Sequence, residues 1–370
     1  MKLPAKNKQP QTSGRKSKSV YEYVGAIHIH SNFSDGLRSI PEIAEIAKEC
    51  NLDFLLFADH MTLEPLKKGM ERWFGPVLSI IGYEINDTDN KNHYLVFGLK
   101  DILSPELKPY EYVRVTKEKG AVGFIAHPDE KRSSMPEIPP YPWTAWDVKG
   151  YDGIEVWNHS SEWLEKLNKI NKYFHVLHPS KYLRGPEPET LRRWDDLNKT
   201  RAVSGIGGLD AHAYPYRIGP LTVYIFRYKV LFHGIRTHVI VDNQLTENIE
   251  QAKMTVLTAL KRARCFISNY RWGDARGFRF TAHSHDCIHH MGETVTLSKA
   301  KSLLKSVDFS VTTPLPGKIT LLNNGSPVTH AEGDSLLYST AAPGSYRIEV
   351  KRKNKPWIYS NHIRLRGEKP

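Results

Sequence analysis

The chain has little cysteine, no long apolar run and no net charge over most of its length, and each shortage excludes something. Three cysteines in 370 residues, Cys50, Cys265 and Cys287, are odd in number and scattered. They imply no disulfide framework and no zinc-ribbon spacing, and a reducing, cytoplasmic setting is expected. No stretch approaches the ~20 consecutive apolar residues of a membrane-spanning helix, so no membrane partner is expected. Residues 1–19 are rich in Lys, Gln, Ser and Pro and lack the apolar centre of a secretory signal. They read as a disordered basic tail. There is no Walker sequence, no Gly-x-Ser-x-Gly elbow and no Cys-His nucleophile pairing. Gly205-Ile206-Gly207-Gly208 precedes Asp210 at the end of an apolar run. No helix-opening pattern follows it, so it is not a dinucleotide fingerprint.

The formal charge of +12 is confined to the ends. Six charges fall in residues 1–19 and a net six in residues 351–370, which leaves residues 20–350 neutral. Such ends add weak, salt-sensitive attraction to polyanions, and solvated tails are the simpler reading. A neutral middle argues against long nucleic acid as a substrate and leaves a short oligonucleotide open. With 40% hydrophobic and 25% charged residues the composition is that of a globular protein, and the length suggests two folded units.

What the sequence does contain is a succession of short apolar runs ending in polar, metal-competent side chains. Val24 to Ile27 leads into His28-Ile29-His30, and Ser34-Asp35-Gly36 follows. Phe54 to Ala58 ends at Asp59-His60, and Val77 to Ile81 ends at Gly82-Tyr83-Glu84. His93 precedes Tyr94-Leu95-Val96-Phe97, Ala121 to Ala126 ends at His127-Pro128, Gly153 to Trp157 ends at Asn158, and Val203 to Leu209 ends at Asp210-Ala211-His212. Ile40 to Cys50 and Glu247 to Arg264 have the spacing of amphipathic helices. Strand-helix alternation with continuous apolar strands predicts a mainly parallel α/β sheet or barrel, with functional side chains at the C-terminal ends of its strands. Lys131 to Pro142 and Ser160 to Lys199 read as insertions at the same rim. After about Gly273 helical periodicity stops, and alternating strands with turns such as Asn324-Gly325 and Pro343-Gly344 predict a small all-β, immunoglobulin-like sandwich. The expected units are therefore 1–19, 20–274 and 275–370.

Two histidines two residues apart on a strand share a face and can chelate one ion. Nine metal-competent side chains at or just past the ends of apolar runs are hard to explain as packing, because buried His, Asp and Glu each cost several kcal/mol, roughly, without a compensating charge or metal. The succession His28-Ile29-His30-Ser31, Ser34-Asp35-Gly36, Asp59-His60, Gly82-Tyr83-Glu84, His93, Ala126-His127-Pro128 and Asp210-Ala211-His212 resembles the motifs of the PHP (polymerase and histidinol phosphatase) superfamily. Together with the β-rich C-terminal region it is similar to the carbaryl-hydrolase (CehA/McbA) branch. The resemblance implies a distorted (β/α)7 barrel with two to three divalent ions. By motif, His28, His30, Glu84 and Asp210 would hold a first ion, Glu84, His93 and His127 a second, and Asp35, His60 and His212 a third. Glu84, Asp210 and His212 are the candidate catalytic residues. Many relatives have His where Asp35 stands, and a carboxylate there favours manganese or iron over zinc. A water bridging two ions would ionise near neutral pH and attack, while another ion neutralises charge growing on the substrate.

Around this cluster Asp59 could orient a ligand or cap a helix. Asn158, His159, Arg132, Arg184 and Arg217 are candidate substrate contacts, the arginines as phosphate clamps. Trp143, Trp146 and Trp157 fit core packing better than stacking on a substrate. His283, His285, Asp286, Cys287, His289 and His290 lack the spacing of a metal site and are expected to be structural. The leading expectation is a metal-dependent phosphoesterase for a small phosphate ester or nucleotide. The alternatives are a carbamate, carboxylic ester or amide hydrolase, and a non-enzymatic PHP scaffold whose β-domain binds a partner through exposed aromatics around Trp357 and Tyr359.

Overall fold

The computed structural model describes residues 20–132, 139–165, 167, 168, 171, 183–218, 221–224, 226–284, 287–297 and 306–367. The expected tail 1–19, much of both rim insertions, His285 and Asp286 lie outside the described residues. Within them the chain is a mixed α/β protein with a large sheet and few helices.

Seven strands form a series of pairings that returns to its start. Tyr21–Ile29 pairs in parallel with Phe54–Phe57, which pairs in parallel with Val77–Ile85. Tyr94–Phe97 runs antiparallel to both its neighbours, Val77–Ile85 and Val122–Ile125. Val122–Ile125, Gly153–Asn158 and Ser204–Gly208 then continue in parallel. Backbone bonds from Leu209 N to Ile27 O (2.9 Å), from Ala211 N to His28 O (3.2 Å) and from His30 N to Ala211 O (3.0 Å) tie the last strand to the first. These strands are mainly apolar because both faces are covered, as in Phe54–Phe57, where every residue is buried. Helix Ile40–Glu49 buries Ile40, Ile43, Ala44 and Ala47 against them, the face its spacing predicts. Helix Ile249–Lys261 is shorter at both ends than the apolar periodicity suggested. Asn248 starts it by accepting a bond from Gln251 N–H.

From Arg279 onward the described elements are all strands. The long strands Val307–Asn323 and Ser326–Thr340 are joined at Asn324-Gly325. Both turn residues have positive φ, 51° and 86°, the geometry for which Asn-Gly is favoured in two-residue hairpins. Phe278, Phe280, Phe309, Ile348 and Trp357 belong to a separate core here. Even so, the sheet is continuous across residues 274 and 275, because Lys355–Ser360 pairs with Cys265–Asn269, register Ile267 to Tyr359.

That pairing overturns the expected aromatic binding face. Trp357 and Tyr359 are buried. Trp357 Nε1 donates to Gly273 O (2.9 Å), and Tyr359 meets Trp157 edge-on at 5.5 Å. Hydrophobic side chains on a strand that adds to a neighbouring sheet are consumed by the junction. The junction is also polar. The Arg347 guanidinium donates to both Asp195 oxygens (2.7 and 2.8 Å), and His362 Nε2 lies 2.8 Å from the same carboxylate. The Asn361 amide accepts from Gly205 N–H (2.7 Å) and donates to Gly205 O (2.8 Å). The C-terminal region thus grips helix Pro188–Thr200 and the strand that ends just before Asp210.

Burial opposes charge on Asp195, but hydrogen bonds from Arg347 and His362 draw its pKa down to about 2. A depressed carboxylate contributes stability above its ordinary value of about 4, and that contribution is lost as pH falls toward 2. The fall of Tm between pH 5 and 2 should therefore be shallower in Asp195→Asn than in the wild type. Arg347→Met strands a buried carboxylate and should cost about 3–5 kcal/mol in urea unfolding. A loss within experimental error would show that the junction does not depend on this pair.

Candidate metal centre

All nine expected ligands converge on one pocket. The Glu84 carboxylate, buried at the end of Val77–Ile85, is its centre. Its Oε1 lies 2.8 Å from His93 Nδ1 and 3.2 Å from His127 Nε2. Its Oε2 lies 3.2 Å from His28 Nε2, 3.4 Å from His30 Nε2 and 3.3 Å from His60 Nδ1. Asp210 Oδ1 is 3.5 Å from His28 Nε2, 3.4 Å from His30 Nε2 and 3.5 Å from His212 Nδ1. Asp35 lies 3.2 Å from His212 Nε2 and 3.8 Å from both His30 and His60.

The backbone reaches this geometry through conformations that strand periodicity does not foresee. His28 is the extra residue where the pairing of Tyr21–Ile29 with Phe54–Phe57 slips between Ile27 and Ile29. Its φ is +64°, and Asp210 (+54°) and His127 (+24°) are also left-handed. Such φ values cost about 1–3 kcal/mol for ordinary residues and persist where the surroundings over-determine them. A bulge, and not simple alternation, presents His28 beside His30, with ring centroids 5.1 Å apart.

The donor set passes a test for cations on its own hydrogen bonds. His28 Nδ1 lies 2.8 Å from Glu155 Oε1 and its Nε2 lies 3.2 Å from Glu84 Oε2, so the ring is held between two buried carboxylates. His93 Nδ1 lies 2.8 Å from Glu84 Oε1 and its Nε2 lies 3.3 Å from Asn90 Oδ1. His212 Nδ1 donates to Asp210 O (3.1 Å), and its Nε2 faces Asp35 without a hydrogen bond. Neither ring nitrogen of His30 is hydrogen-bonded. Buried carboxylates packed among imidazoles need positive charge beside them, from protons on the rings or from cations. Four overlapping groups could hold an ion: His28, His30 and Glu84; Glu84, His93 and His127; His28, His127 and Asp210; and His30, Asp35, His60 and His212. His30 thus also joins the group around Asp35, and His127 also joins Asp210. Where protons supply the charge instead, burial opposes it, but Glu130, Glu84 and Asp210 raise the His127 pKa to about 9.

The supporting carboxylates escaped the sequence reading. Glu155 holds His28 Nδ1, His127 N–H (2.8 Å) and the Asn158 amide (2.9 Å). A Cβ on Gly208 would collide with the Glu155 side chain, and one on Gly205 with the Trp194 ring. The glycine-rich run is therefore spacing for a buried acid and a tryptophan. The available signal was Glu155 itself, an acid inside the apolar run Gly153 to Trp157. Asp59 bonds no ligand side chain directly and caps no helix, since Leu63 stands at the N-cap of the next one. It accepts from Ser31 N–H and from the Ser31 and Ser34 hydroxyls (each 2.7 Å), and so folds the loop that carries Asp35.

Several expected substrate contacts are spent elsewhere. Asn158 binds Glu155 and accepts from Ser161 N–H at the start of helix His159–Glu165. His159 is fully buried against Phe226, and burial pulls its pKa down to about 3. Arg132 is buried on Glu130 and stands over Tyr141, so it is no free phosphate clamp. Arg184 is exposed, and its backbone N–H binds Glu162. Arg217 lies on the strand Pro215–Ile218, and its side chain is outside the described residues. Trp143 and Trp157 are core residues, and Trp146 stacks under Arg193. His283 bonds Thr281 and His289 bonds Ser284. Neither belongs to a metal-competent group among the described residues.

Three solved structures are similar to this chain. One is a two-domain protein from Bacteroides vulgatus containing a predicted PHP-like metal-dependent phosphoesterase. It shares 16% identity at a TM-score of 0.45, with 97% of this chain and 100% of that one covered. A Bifidobacterium adolescentis protein, assigned provisionally as a metal-dependent phosphoesterase, shares 16% identity at 0.32 over 54% of this chain and 92% of its own. An amidohydrolase from Chromobacterium violaceum, with bound sulfate and no metal, shares 15% at 0.30 over 51% and 87%. No family model matches the sequence, and no curated protein does.

Glu155→Gln keeps the side-chain shape but not the charge that holds His28 in one tautomer. It should weaken manganese or zinc binding by about 10–100-fold in a competition titration, with the far-UV spectrum unchanged. Unaltered affinity would exclude Glu155 as a support of the centre.

Proposed function

We propose that this chain is a metal-dependent hydrolase acting on small phosphate esters, nucleotides included. The observation that carries the reading is Glu84, a buried carboxylate with a nitrogen of each of five imidazoles within 3.4 Å. Two to three divalent ions of manganese, iron or zinc in the four ligand groups would supply a water acidic enough to ionise near neutral pH and counter-charge for substrate oxygens.

The protein's own residues fix where this can happen. Glu84 would be shared between ligand groups, and Asp210 would close the group at His28. Asp35 and His60 are the half-exposed ligands, with side chains 45% and 34% exposed, so substrate would approach on their side. His212, behind Asp35, offers Nε2 there while its Nδ1 proton stays on the Asp210 carbonyl. With Arg132 committed to Glu130, counter-charge for an anionic substrate would come from the ions and not from an arginine clamp. The scaffold alternative loses its support, since Trp357 and Tyr359 are buried and the ligand set is intact.

The decisive experiment strips the purified protein with a chelator, reloads it with manganese, iron or zinc, and assays p-nitrophenyl phosphate, bis-p-nitrophenyl phosphate and 1-naphthyl carbamate. Phosphate ester turnover should vanish with the metal and return with it. His28→Ala and Glu84→Ala should each lose at least about 4 kcal/mol of transition-state stabilisation, roughly a thousandfold in rate. Turnover of the carbamate alone would replace the phosphoesterase reading with the carbamate hydrolase one. Full activity in the stripped protein would end both.

A further inference from the structure

Two tyrosines lie flat against the ends of the histidine cluster, and they are not equivalent. Tyr141 stacks on His93 at 5.0 Å and 14°, and the Arg132 guanidinium stands over it at 5.2 Å. Tyr214 stacks on His212 at 4.6 Å and 14°, yet the residue is 47% exposed. Its hydroxyl donates to Asp35 Oδ2 (3.2 Å). The ring is therefore pinned at two points, by an imidazole against one face and by a carboxylate at its para position. Asp35 and His60, its half-exposed neighbours in the cluster, mark the side from which substrate would come.

A large aromatic ring held open to water beside a polar cluster is unfavourable for folding alone, because ~25 cal/mol is forgone for each Å² of apolar surface left uncovered. A hydrogen bond from the phenol to an anion also makes the ring electron-rich. Rings of that kind stack best on flat, electron-poor partners in offset geometry. Tyr214 is not placed to ligate an ion, since its hydroxyl is already given to a ligand carboxylate. We infer that Tyr214 is a substrate-stacking platform, and that the preferred substrates carry a planar, electron-poor ring, such as a nucleobase or nitroaryl group, beside the phosphoryl group. This rests on the phosphoesterase reading and narrows it.

The test uses non-hydrolysable probes, so it does not depend on turnover. Binding of phenylphosphonate and methylphosphonate to the metal-loaded full chain is measured by calorimetry for wild type, Tyr214→Phe and Tyr214→Leu, with metal content determined for each. Wild type should prefer phenylphosphonate by about tenfold, the order of one aromatic stacking contact. Tyr214→Leu should erase that preference while leaving methylphosphonate affinity and metal content within about twofold. Tyr214→Phe keeps the ring and should retain most of the preference. With p-nitrophenyl phosphate as substrate, Tyr214→Leu should raise KM and leave kcat nearly unchanged. Equal binding of the two phosphonates by wild type, or an unchanged preference in Tyr214→Leu, would overturn the platform and leave the phosphoesterase reading standing. Parallel loss of both phosphonates and of metal in Tyr214→Leu would overturn it in favour of a role confined to holding Asp35. Failure of wild type to bind either phosphonate would remove the phosphoesterase reading and this inference with it.

Discussion

A buried carboxylate surrounded by imidazoles is the constraint on which the rest of this structure depends. Glu84 is removed from water and faces five histidines. An ionised carboxylate in that position is tolerable only if positive charge stays close. Burial opposes ionisation, yet His28 and His93 and bonds from His127 and His28 hold its pKa well below the usual carboxylate range. The same logic runs outward. His28 needs Glu155, Glu155 needs Gly208 to make room, and the strand carrying Gly208 needs the C-terminal region to hold it.

That outward chain explains why the two parts of the protein share one sheet. The strand Ser204–Gly208 delivers Asp210, and it is stitched to the C-terminal region by the Asn361 amide on Gly205. The preceding helix is gripped by Arg347 through Asp195. The junction therefore fixes the strand that leads into Asp210. Trp357 and Tyr359, expected on an outer binding face, serve the same junction.

Much of the site was legible because metal ligands are chemically distinctive and strand ends are easy to mark. Apolar runs closing in His, Asp or Glu located most of the converging side chains, His93 and Asp35 lying just outside such runs, and the Asn324-Gly325 turn was readable from its residues alone. The supports were less legible. Glu155 looked like one acid among many until its partners were visible, and Asp59, read as a ligand support or a helix cap, proves to anchor the loop that carries Asp35. Arg132, Asn158 and His159 have the side chains of substrate contacts, but composition cannot report that a partner has already claimed them.

The sequence by itself determined the chemical inventory: which side chains could bind cations, which segments were strands, and that charge is confined to the termini. It could do so because these are local properties of residue type and spacing. Only the tertiary structure decided which nitrogen of each histidine faces inward, that His28 sits on a bulge, and that Tyr214 stays open while Tyr141 is covered. Those outcomes depend on contacts between residues up to about two hundred positions apart, such as Tyr228 with the His30 carbonyl, and no local pattern encodes them.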